Sequence, residues 1–413
     1  MAQKKPVKKT AAVKKKPAKR ADAVKKKPVK KSVPARKAAA VKKEMPAKSK
    51  PLSGLARLME EVRCRKEKVY QYLQLKDRPE KFQPEDIYCG VHKYLKAGGK
   101  SLRPAVLLLA CGAVGGDEDK AIPAAAAVEV YHTWTLVHDD IIDRDGTRRG
   151  VATVHEELKN RAIKRLGLKG EEAAHYGQAI AILAGDLQQG WTISLLTELV
   201  REKGISPILV LQLILDLEVD VQCNLIEGEA LDLQYSKMPI EALSEEKILA
   251  MLWKKTGALY QFAGKAGAMI GIDQPNSRHP YVEALSLFTS NCGIAFQLQD
   301  DILGILADEK KLGKPVGSDI REGKRTVIVH HALAEANRSE RSLILKVLNN
   351  PQASAAQVKQ VTRLFQELGS IAYTAEMAQK YVRRAVAALE ALPESENKKL
   401  LMLWADYMIN REF

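Results

Sequence analysis

Cysteine is scarce and scattered in this chain. Its five cysteines, Cys64, Cys89, Cys111, Cys223 and Cys292, are odd in number and none forms a CxxC pair. They read as reduced thiols in a cytoplasmic protein, not as a disulfide framework. No run of 18 apolar residues without charges occurs, so no transmembrane helix is expected. The N-terminus has charges but lacks the apolar stretch of a secretory signal, and it is Lys-rich where transit peptides are Arg- and Ser-rich. Alternating strand patterns are missing too, and β-branched runs are short. These absences leave an all-α protein.

Acidic residues are nearly missing from the first 51 positions, which hold 20 Lys and Arg against Asp22 and Glu44. The remaining 362 residues hold 46 basic and 48 acidic side chains, so the formal charge of +16 belongs to this tail. The tail has no aromatic residue, and Val13–Lys19 recurs loosely as Val24–Lys30. Such a segment buries too little apolar surface to offset its ordering entropy, so residues 1–51 are expected to be a disordered tail. Its lysines suit loose contact with anionic lipid or nucleic acid, but nothing in it supplies base readout.

Residues 52–413 read as one helical catalytic domain. Apolar residues recur at three and four over 55–69, 122–143, 178–200, 208–235, 244–271 and 281–306. The 122–143 helix should end at Gly146, and 336–350, 355–369 and 371–391 read as amphipathic outer helices. Ten or more helices are expected.

Carboxylates are expensive in apolar helices, yet Asp139-Asp140-Ile141-Ile142-Asp143 and Asp300-Asp301 both sit in such sequence. Residues four apart share a helix face, so Asp139 and Asp143 point the same way. Clustered hard oxygen ligands with room for phosphate suit Mg²⁺. Arg148 and Arg149, flanked by glycines, follow at once, and arginine forks bind phosphate oxygens. Upstream, Gly98-Gly99-Lys100-Ser101-Leu102-Arg103-Pro104 opens a helix with bare backbone amides and two cations, which suits an anion. His132 lies two turns before Asp139 on the same face; alone, such a histidine is more often a satisfied core residue. Downstream come Lys255-Thr256, then Gln297 before Asp300-Asp301, then a Gly/Lys-rich stretch with Lys314 and Lys324 that reads as a mobile phosphate cover.

The order GGKxLRP, DDxxD with RRG, KT, QxxDD and GKPxGSDxxxGK resembles the trans-type isoprenyl diphosphate synthases over roughly residues 54–413, most closely their archaeal geranylgeranyl members. The resemblance implies the isoprenoid synthase fold around a central cavity, usually in a homodimer. It implies condensation of an allylic diphosphate with isopentenyl diphosphate. Asp139 and Asp143 would hold two Mg²⁺ ions and Asp300 a third, with Asp140, Asp301 and Lys255 among the catalytic residues. Arg148, Lys255, Thr256, Gln297, Lys314 and Lys324 would surround the allylic diphosphate. Lys100, Arg103, His132 and Arg149 would hold isopentenyl diphosphate. Gly304 stands where many members carry a third acid. Product length would be set by Thr135, Trp134 and Tyr131 below the first motif, and the bulky ring beside a small residue resembles the C20 arrangement, with C15 or a longer chain as alternatives. A terpene cyclase would not need the second diphosphate site, and a non-catalytic subunit would have lost aspartates that this chain retains.

Overall fold

Alanine and valine dominate the stretch that becomes the central helix. α4 (Glu118–Ile142) starts at Asp117, whose side chain accepts from the Asp119 amide. Ala121, Ala124–Ala127, Val128 and Val130 are buried along it. Small side chains let α3 (Leu102–Ala113) and α6 (Gly170–Lys203) pack closely on either side. The computed structural model describes residues 54–148, 150–306 and 317–411. The basic tail, Arg149 and Lys314 therefore lie outside the described residues.

α1 (Gly54–Lys76) and α2 (Glu85–Ala97) lead into α3, and α5 (Val154–Leu166) precedes α6. The expected 208–235 helix is α7 (Pro207–Leu215) joined to α8 (Gln222–Lys237) through a π-helical turn, Asp216–Val221. The expected 244–271 helix is likewise α9 (Glu245–Leu252) and α10 (Ala258–Ile272) around a π turn, Trp253–Gly257. Periodicity alone conceals these one-residue shifts, which re-aim side chains. α11 (Pro280–Leu306) packs between α10 and the outer helix Ser370–Ala388.

α4 ends at Ile142 with Asp143 as its cap, within one residue of the expected 122–143 span. One expectation needs correction. Strands do occur, as a two-residue antiparallel ribbon pairing Thr147 with Ala152 and Arg148 with Val151. Its strands are too short for alternation to register in sequence. The rest of the all-α reading holds. A C-terminal helix, Glu396–Asn410, packs Trp404, Leu401 and Met408 into the main core. Among the described residues, no helix is long and apolar enough to cross a membrane.

Candidate active site

Three carboxylates from two helices converge at the end of α4. Oxygens of Asp139, Asp143 and Glu229 lie within 4.8 Å of one another. Glu229 comes from α8, which packs directly on the second π turn. A Cβ on Gly228 would fall 2.4 Å from the Lys255 amide nitrogen, so only glycine permits this approach. The Lys255 Nζ then lies 2.7 Å from Asp232, 2.9 Å from Glu229 and 3.6 Å from Asp139. Burial, aided by the neighbouring Asp139 charge, pushes Asp143 up to about 6. Burial likewise pushes Glu229 up to about 7, against the pull of Lys255. Burial works against the Lys255 ammonium, but Asp232, Asp139 and Glu229 together outweigh it and raise its pKa. Carboxylates this crowded favour a cation.

Asp140 behaves differently from its neighbours. A helix turns about 100° per residue, and that rotation carries it to the inner face. It is 0% exposed, accepts from the Tyr94 hydroxyl, and accepts from Arg148 Nε at 2.7 Å. Burial raises its pKa even so. Arg148 Nη2 also reaches Asp139 at 3.0 Å, because the ribbon folds Arg148 back over the helix end. Asp140 thus holds the Arg148 guanidinium over the end of α4.

The second motif divides in the same way. Thr256 Oγ1 donates to Gln297 Oε1 at 3.0 Å, and Gln297 Nε2 donates to Asp301 Oδ1 at 3.1 Å. Asp301 Oδ2 is buried without a partner, and burial followed by Asp319 pushes this acid well above its ordinary range. A Cβ on Gly304 would meet an Asp319 carboxylate oxygen at 2.6 Å. The space of the missing third acid is therefore taken by Asp319, which pairs with Lys324 at 3.4 Å. Asp300 faces elsewhere: its carboxylate accepts from Arg411, a residue more than a hundred positions away. It is not part of the three-carboxylate group.

Asp300 instead lines a cavity of about 390 Å³ that also holds Lys100, Arg103, His132 and Arg411. Gly98, at φ 74°, and Ser101, at φ 48°, make the turn into α3, and Lys66 Nζ donates to the Gly99 carbonyl at 2.7 Å. Arg103 stacks 4.3 Å above the Tyr260 ring centroid and donates to His132 Nε2 at 3.1 Å. An arginine cannot accept, so His132 Nε2 is the acceptor and a neutral ring carries its proton on Nδ1. Arg411 lies 3.4 Å over the Phe296 ring and donates to its carbonyl at 3.1 Å. Glu129, the other acid here, already accepts from Tyr70 at 2.9 Å and Ser101 at 2.7 Å. Arg411 is matched by Asp300 and Glu129 is taken up by two hydroxyls, so Lys100 and Arg103 leave an excess of positive charge that suits an anion.

A carboxylate cluster and a cationic cavity on one central helix form a two-sided site. Residues 85–365 match the family model described as polyprenyl synthetase. The chain belongs to the polyprenyl synthetase family. It is a prenyltransferase with the isoprenoid synthase fold. It is 36% identical over 331 residues to a geranylgeranyl diphosphate synthase of Methanosarcina mazei, covering 80% of this chain and 91% of the relative. A geranylgeranyl pyrophosphate synthetase structure from Pyrococcus horikoshii is 36% identical, with a TM-score of 0.71 over 87% of this chain and 98% of that one. One from Corynebacterium glutamicum, solved with isoprenyl diphosphate and magnesium, is 26% identical, with a TM-score of 0.73 over 87% and 99%.

In this prenyltransferase the three residues expected to set chain length lie on α4, down the helix from Asp139. Tyr131 is fully buried and meets Trp134 edge to face at 4.8 Å, while the Thr135 hydroxyl donates to the His132 carbonyl at 2.8 Å. Sequence reasoning missed Glu229, Asp232, Asp319 and Arg411. The pair Glu229 and Asp232, spaced three apart beside Gly228 in a helix, carried a usable signal. Arg411 carried none.

Proposed function

We propose that this prenyltransferase joins an allylic diphosphate to isopentenyl diphosphate in trans, releasing pyrophosphate and making geranylgeranyl diphosphate. One observation carries the reading: α4 presents Asp139 and Asp143 at its end and His132, beside Lys100, Arg103 and Arg411, about 10 Å back along its axis. Two diphosphates can then be held apart, one through cations on the carboxylates and one directly by guanidinium and ammonium groups.

The donor set fits magnesium. Asp139, Asp143 and Glu229 offer hard oxygens within 4.8 Å, and burial leaves them short of countercharge. Bound there, Mg²⁺ would neutralise charge developing on the leaving diphosphate. Lys255, Arg148 and Lys324 flank the cluster and add fixed positive charge where the allylic C–O bond breaks. Thr256 and Gln297 hold the second motif in register with them. Lys100, Arg103 and His132 orient isopentenyl diphosphate so that its double bond attacks the allylic carbon. The new C–C bond leaves a cation, which loses a proton to the departing pyrophosphate. The test is an assay of C5, C10 and C15 primers with isopentenyl diphosphate and Mg²⁺, with products resolved by length. C20 is the expected end product and EDTA should abolish turnover. A shorter or longer main product would correct the length, and no uptake of isopentenyl diphosphate, with cyclic products from the primer, would favour a cyclase.

The same reading assigns a second copy of the chain as partner. Leu211, Leu215, Val219, Ile226 and Leu233 lie on one face of α7–α8 and are 46–66% exposed. Ile182, Leu183 and Leu187 expose a matching face of α6. An apolar stripe of this length marks an interface, and a two-fold pairing buries it against itself. Leu215→Glu is expected to convert a dimer to a monomer in sedimentation velocity; an unchanged dimer would remove this face as the interface. Five free cysteines fit a cytoplasmic setting for the enzyme.

A further inference from the structure

Three buried polar atoms lack hydrogen-bond partners in one small region: the Tyr131 hydroxyl, the Trp134 Nε1 and Glu218 Oε1. Native interiors pair nearly all such groups, so a cluster of exceptions asks for a function. Tyr131 and Trp134 belong to α4 and Glu218 to the first π turn. The other Glu218 oxygen accepts from Gln189 of α6, so three helices meet there. Thr192 Oγ1 donates to the Ala127 carbonyl at 3.5 Å and His138 Nε2 meets the Ile182 carbonyl at 3.2 Å. α4 and α6 therefore run antiparallel, with Gln189, and the Glu218 it holds, about level with Tyr131. Burial raises the Tyr131 pKa, with the Glu218 charge a smaller cause.

The arrangement follows two columns down from the carboxylate cluster. On α4, Asp139, Thr135 and Tyr131 stand four residues apart on one face. On the facing helix, Glu229 lies eleven residues from Glu218, about three turns. The columns are joined at the top, where Asp139 and Glu229 share Lys255, and lower down α6 bridges them through Gln189, which donates to Glu218. The π turn is what aims Glu218 inward. Its first residue, Asp216, is anchored by Lys265 of α10 at 2.8 Å and by Gln212 at 2.8 Å. The extra residue per turn then swings Glu218 towards Gln189.

We propose that Glu218, held by Gln189, is a specificity-determining residue that closes the floor opposite Tyr131 and Trp134 and stops prenyl growth. This rests on the synthase reading above and extends it to a second helix. A growing hydrocarbon end that reaches this floor meets unpaired polar atoms, which it cannot hydrogen-bond, as well as bulk. Growth past it is opposed by both shape and polarity.

The test uses the full chain with a C15 allylic primer, labelled isopentenyl diphosphate and Mg²⁺, reading product ratios so that rate is not at issue. Glu218→Ala should lengthen the main product by at least one C5 unit and raise the ratio of longer to parent-length product by about tenfold or more. Glu218→Gln keeps size and polarity and should keep the parental length. If Glu218→Ala does not fold, Gln189→Leu frees the carboxylate and should move the same ratio upward. Parental lengths in whichever of Glu218→Ala and Gln189→Leu folds overturn the floor assignment. A parent chain that consumes no isopentenyl diphosphate overturns the synthase reading and the floor with it, so the two failures are distinguishable.

Discussion

Asp139→Ala is expected to lower kcat by about 10³-fold or more, equivalent to roughly 4 kcal/mol of transition-state stabilisation. Asp139 is where every charged part of the cluster meets. It shares the carboxylate group with Asp143 and Glu229, lies 3.6 Å from Lys255 and accepts from Arg148 at 3.0 Å. Its removal takes one hard ligand from the cation site and leaves Arg148 committed to Asp140. Folding should not suffer. Lys255 keeps Asp232 and Glu229, and loss of Asp139 relieves the repulsion that raises Asp143 and Glu229. The expected signature is therefore collapsed turnover at saturating Mg²⁺ with an unchanged or higher melting temperature. Near-parental kcat would remove Asp139 from the chemistry; a large drop in melting temperature would show that it serves the fold instead.

Arg103→Leu should act on one substrate only. We expect kcat/KM for isopentenyl diphosphate to fall about 10²- to 10³-fold, as loss of a buried charge-assisted contact implies, with the KM for the allylic primer little changed. Arg103 is preorganised for this: Tyr260 supports its face and His132 fixes one edge, so little freedom remains to be lost on binding an anion. Arg103→Lys keeps the charge but not the fork and should recover only part of the loss. Equal loss for both substrates would show that the cavity does not separate them.

Much of this site was legible because its spacing is local. Asp139 and Asp143 share a face by helix geometry alone, and Lys100 and Arg103 sit three residues apart in one loop, whereas His132 joins them only through the family resemblance. The fate of Asp140 was not legible, because neighbouring residues differ only by a rotation whose meaning depends on what packs there. Tyr94 and Arg148 supply that packing. The pairing of Asp300 with Arg411 was not legible either, because Arg411 comes from the far end of the chain. Both π turns were invisible, since apolar spacing of three and four tolerates a one-residue insertion.

By itself the sequence determined the helical class, the two acidic motifs, the cationic loop and the family, since each depends on short-range periodicity or motif order. Only the tertiary structure decided which acids face one another. Gly228 admits α8 against the Lys255 turn and brings Glu229 to the cluster, Gly304 leaves room for Asp319, and Glu218 in a π turn accepts from Gln189 of α6. Each outcome depends on the close approach of helices distant in sequence, and that approach is set by packing rather than by pattern.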